Sequence, residues 1–95
     1  KLSIHGDKIV AEVTSQTLQT ELASAFPAAT EVRAGFDGKQ AAVVVVDDKF
    51  DGLSRVKRQQ AVYQVLNQFI ADGRVHAVNI ETFSRSEWDK VKMFR

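Results

Sequence analysis

Residues 30–46, TEVRAGFDGKQAAVVVV, decide the fold. Thr30, Val32, Ala34 and Phe36 alternate with Glu31, Arg33 and Gly35, the period of a half-buried strand. Asp37-Gly38 follows, the dipeptide that best tolerates the positive φ angles of a tight hairpin. The chain then returns as a second strand over about Gln40–Val46. Its Val43-Val44-Val45-Val46 run is apolar on both faces, so this strand is expected to be central and covered on at least part of both sides.

Upstream, Leu18, Leu22, Ala25 and Phe26 fall at i, i+4, i+7 and i+8, the stripe of an amphipathic helix over Thr17–Phe26 that Pro27 stops. Downstream, the polar stretch Asp47–Gly52 leads into a helical pattern from about Ser54 to Ala71. Val62, Leu66, Phe69 and Ile70 mark its buried stripe, Tyr63 its edge, and Asp72-Gly73 its end. Val75–Phe83 reads as a third strand with His76, Val78, Ile80 and Thr82 on one face. Ser84 followed three residues later by Glu87 has capping-box spacing and opens a last helix carrying Trp88 and Val91. The order α-β-β-α-β-α predicts an α+β fold. The hairpin makes the first two strands antiparallel and the helical crossover makes the last two parallel, giving a three-stranded mixed sheet with helices mainly on one face.

Ninety-five residues hold one domain. Residues 1–13 show no clean period, with a turn at His5-Gly6-Asp7, and are expected to form an accessory extension to a domain over 14–95. The composition, 44% apolar and 26% charged, is that of an ordinary globular chain. The longest apolar run, Ala41–Val46, is far short of the roughly 20 residues that span a bilayer, so no membrane partner is expected. A cytoplasmic location is expected, or an organellar one if a targeting peptide preceded Lys1. There is no cysteine, which excludes a disulfide framework, a thiolate nucleophile and any cluster ligated by this chain's own sulfur. The net charge of +1 is too small for a chain-wide polyanion field, but residues 1–50 sum to −2 and residues 51–95 to +3.

The positive excess includes an anomaly: Arg55, Lys57 and Arg58 crowd the start of the long helix. Helix N-termini disfavour cations there, by about 0.3–1 kcal/mol each at low salt. Two readings stay open. Asp47, Asp48 and Asp51 fold back as counter-charges, or Ser54, Arg55, Lys57 and Arg58 form an anion- or partner-binding site with the free backbone N–H groups. His76 is the second candidate, though one imidazole does not make a metal site and His5 is the only other histidine. Enzyme signatures such as a Walker loop, GxGxxG, GxSxG or HExxH are absent, and no catalytic residue is assigned. Gly35-Phe36-Asp37-Gly38 matches the GxxG of RNA-binding KH domains, but that loop must join two helices and here it ends a strand.

Residues 50–63, FDGLSRVKRQQAVY, and 74–88, RVHAVNIETFSRSEW, together resemble the BolA family. The matching residues include Phe50, Gly52, Ser54, Val56, Arg58, Tyr63, Val75, His76, Ala77, Thr82, Glu87 and Trp88. The resemblance implies a class II KH-like fold and a non-enzymatic adaptor that binds a monothiol glutaredoxin. It implies a bridging two-iron two-sulfur cluster, shared with that partner and not held by the isolated chain, and a role in iron-sulfur trafficking or iron-status and stress signalling. His76 takes the place of the family's cluster-ligating histidine. A second ligand usually comes from the loop between the first two strands, where this chain has Lys39 and Gln40, and an amide is a poor iron ligand. Gln59 stands where the family often has histidine. Members are also credited with DNA-binding transcriptional regulation, so duplex DNA is the alternative partner, with the basic helix start contacting phosphates.

Overall fold

The computed structural model describes residues 3–4, 9–10 and 13–93. Two short strands, β1 (Ser3–Ile4) and β2 (Ile9–Val10), pair antiparallel within the extension. The turn expected at His5-Gly6-Asp7 lies outside the described residues. Then follow α1 (Ser15–Ala25), β3 (Glu31–Phe36), β4 (Gln40–Val46), a 3-10 turn at Asp48–Phe50, α2 (Arg55–Ala71), β5 (Ala77–Phe83) and α3 (Arg85–Lys92). The main sheet has the order β3-β4-β5, with β3 antiparallel and β5 parallel to the central β4. This is the mixed sheet expected from the hairpin and crossover.

Helix α1 begins two residues earlier than its apolar period suggests. Thr14 is the cap: its side chain accepts from the Thr17 N–H while Thr17 returns a bond to the Thr14 N–H, a capping box with threonine where glutamate is usual. The hairpin closes as expected. Asp37 Oδ1 accepts from the N–H groups of Lys39 and Gln40, and Gly38 takes a φ of 102° that side-chain-bearing residues avoid. Those two N–H groups, Gln40 first, hold the Asp37 carboxyl below the usual aspartate range.

The valine run sets the layers. Ala41, Val43 and Val45 join the core with Leu18, Leu22 and Phe26 of the α1 side and Val62, Leu66 and Phe69 of α2. On the opposite face, the register sets Arg33, Val44 and Glu81 side by side, and Glu31, Val46 and Phe83 beyond them. There Trp88 of α3 packs on Phe83 at 5.4 Å between ring centroids, with the Arg33 guanidinium 5.1 Å above the indole. Two helices therefore share one face, as expected, and the third closes one end of the other. Trp88 is 4% exposed and Val46 fully buried. Replacing Trp88 with alanine strips that cover, and Trp88→Ala is expected to cost about 3–5 kcal/mol in urea denaturation.

Candidate functional site

The structure separates the sequence candidates into two places at opposite ends of β5. At its start, the chain leaves α2 through Gly73, whose φ is 83°, and the Val75 N–H donates to the Phe69 carbonyl as Val75 enters the core. His76 does not lie within the strand on the Val78 and Ile80 face, as its sequence position suggested; it precedes the strand and is exposed. Burying Val75 fixes the chain one residue earlier, and His76 is tied by its N–H to the Lys39 carbonyl at 2.8 Å. The same carbonyl receives the Ala77 N–H at 3.4 Å, and Gln40 pairs with Ala77 in the sheet register. His76 and the loop residues Lys39 and Gln40 thus come together, through a backbone bond that no sequence pattern announces.

At the other end lies the start of α2. Ser54 is its N-cap, accepting from the Lys57 N–H at 3.2 Å, so its hydroxyl has a structural task. The counter-charge to the basic cluster is Glu87 of α3, not the upstream aspartates. Arg58 reaches it with Nη1–Oε1 at 2.6 Å and Nη2–Oε2 at 3.3 Å, and donates Nε to the Leu53 carbonyl at 3.0 Å. Its side chain is only 13% exposed. Two of the upstream acids bond to backbone elsewhere: Asp47 caps the 3-10 turn through the Lys49 N–H, and Asp48 accepts weakly from the Arg85 N–H at the start of α3 at 3.4 Å. Arg58 is therefore withdrawn from the anion-binding set, which leaves Arg55 and Lys57. Both are exposed and in no ion pair among the described residues.

Sequence reasoning missed Glu87 as Arg58's partner because 29 residues separate them; its visible signals were the capping box and its place, with Arg58, among the residues that carry the family resemblance. Glu87 Oε1 accepts from the Ser84 N–H at 2.9 Å, and the Glu87 N–H donates to Ser84 Oγ. One carboxylate thereby closes the cap of α3, sits at the positive end of that helix and neutralises Arg58. The Arg58 hydrogen bond, then that of the Ser84 N–H, hold its carboxyl below the usual glutamate range.

As a donor set, the His76 end offers one imidazole. Among the described residues no three histidine, cysteine or acidic side chains gather as a metal cage, and Asp37 is committed to the hairpin. These residues fit one ligand position of a cluster completed from elsewhere and do not fit a cluster held by this chain alone. No helix among them is long and apolar enough to cross a membrane.

This α-β-β-α-β-α arrangement, three helices and a three-stranded mixed sheet, is an α+β fold shared with several solved proteins. The chain belongs to the BolA-like protein family, whose family model matches residues 9–87. It is 48% identical over 58 residues to the acid stress protein IbaG of Escherichia coli, covering 61% of this chain and 69% of that one. An uncharacterised protein of Acinetobacter guillouiae is 44% identical over 82 residues, covering 86% of this chain and 98% of the relative. BolA1 from Arabidopsis thaliana superposes with a TM-score of 0.70 at 24% identity, over 81% of this chain and 98% of that one, a likeness of fold.

The depressed acidity of Glu87 has a pH signature. Its folded value lies below its unfolded one, so the stabilisation is complete above the ordinary glutamate range and disappears as pH falls through the folded value. Glu87→Gln is expected to lower stability at pH 7 by less than about 1 kcal/mol, as for a solvent-screened pair, and to lessen the stability lost on acidification below the ordinary glutamate range, measured by urea denaturation at pH 7 and in acid.

Proposed function

We propose that this chain is a non-enzymatic adaptor of the stress response that docks a monothiol glutaredoxin and supplies His76 to a two-iron two-sulfur cluster shared with it. The observation that carries this reading is the 2.8 Å bond from the His76 N–H to the Lys39 carbonyl, which anchors the backbone of an exposed histidine beside the hairpin loop. A metal ligand gains from such anchoring because ordering it costs less on binding. With no cysteine in the chain, the remaining ligands of the cluster come from the partner and its thiols. The stress setting is supported by the likeness to IbaG, an acid stress protein of Escherichia coli. The basic helix start offers duplex DNA little once Arg58 is bound to Glu87, since only Arg55 and Lys57 remain for phosphates.

Anaerobic reconstitution with a monothiol glutaredoxin and glutathione tests the proposal by visible circular dichroism. The mixed pair is expected to give a spectrum distinct from that of the glutaredoxin alone, and His76→Ala to remove the difference. An unchanged spectrum and cluster lifetime in His76→Ala would overturn the ligand role. Gln40→His places an imidazole on the loop paired with Ala77 and is expected to slow the decay of cluster absorbance several-fold in air.

A further inference from the structure

β5 is an edge strand, since the sheet ends with it. The Ile80 carbonyl faces outward, because the Gln59 side-chain amide reaches it from α2 at 3.5 Å, the limit of a hydrogen bond. By the two-residue period of a strand, the N–H and C=O groups of Val78 and Thr82 face the same way. β5 contains no proline and pairs with β4 in an unbroken register, so among the described residues it lacks two of the usual devices that blunt an edge.

Beside the edge, α2 and the turn before it leave apolar side chains open. Leu53, Val56 and Tyr63 are 38%, 64% and 41% exposed, three of the four large apolar side chains left open among the described residues. All three line the grooves between α2 and β5, which meet at Gln59 and Ile80. The larger groove encloses about 800 Å³. A fourth strand would lie about 4.8 Å beyond β5, on the side of the groove these residues line.

Charge distinguishes the two ends of this groove. Arg55 and Lys90 line it where β5 ends, and neither is in an ion pair among the described residues. Arg58 and Glu87, also in the wall, cancel one another. Glu81 also lines this groove, from the strand position between Ile80 and Thr82, so the wall here holds one carboxylate beside the two cations.

From these observations we infer that the β5 edge accepts an extended peptide segment of a partner protein as a fourth strand, with apolar side chains on Val56 and Tyr63 and carboxylates at the Arg55 and Lys90 end. Backbone pairing supplies affinity, while the apolar side chains and the two cations set pattern and polarity. This surface is independent of the His76 reading: it uses neither that side chain nor a metal.

The probes are two short peptides of alternating threonine and valine, one with two glutamates at its N-terminus and one at its C-terminus, for the two possible strand directions. Amide NMR of the full chain is expected to show one of them shifting Val78, Ile80 and Thr82 and slowing their hydrogen exchange. N-methylation of alternate peptide nitrogens is expected to abolish the response. Arg55→Glu with Lys90→Glu, both exposed and so compatible with folding, is expected to weaken binding at least tenfold. Equal binding of the N-methylated peptide, or no response from either peptide at millimolar concentration, overturns strand addition. Concentration-dependent dimerisation through the same amides would instead assign the edge to a second copy of the chain.

Discussion

Four consecutive valines in a central strand impose a constraint on everything around them. Side chains alternate across a strand, so Val43 and Val45 are buried on one face, while on the other Val46 is buried and Val44 half-buried. A single helical layer cannot do both. α1 and α2 fold over the first face, and the chain must continue past β5 to bring Trp88 back beneath Val46 and Phe83. Because α3 is eight residues long, it has little helical stability of its own and depends on its cap and on the contacts that hold it in place. The Arg58–Glu87 pair is one of those contacts, joining the start of α2 to the start of α3.

Seen this way, the cations at the start of α2 are not one feature. Arg58 balances a carboxylate that is itself favoured at the positive end of α3, so the penalty of a cation at one helix N-terminus is offset by an acid at another. Arg55 and Lys57 have no such partner and carry what remains of the unfavourable charge. A cluster that reads as one basic patch in sequence is, in space, one structural residue and two surface residues.

What was legible in the sequence follows the range of the interactions. The hairpin, the central strand, the α2 stripe and the Ser84–Glu87 box all rest on neighbours within eight residues, and each stands where its pattern placed it. The earlier start of α1 was missed because threonine, not glutamate, closes its cap. His76 was placed inside a strand because it continues the face of Val78, Ile80 and Thr82, yet burial of Val75 and its N–H bond to the Phe69 carbonyl at the α2 end start the strand one residue after His76. Likewise, the Arg58–Glu87 pair and the His76–Lys39 bond join residues 29 and 37 positions apart, beyond any local pattern.

The same parallel crossover that completes the sheet also arranges its open groups. Since β5 runs parallel to β4, its first residue lies beside the hairpin loop and its last beside α3, so the histidine and the free cations fall at opposite ends of one strand. Seven residues of strand span about 20 Å, comparable with the width of a modest protein interface. A partner touching only one end can rotate about that contact. One that also pairs along the edge, as the inferred fourth strand would, is fixed in direction by the backbone bonds, so the part of it beside the start of β5 meets His76 in a single orientation.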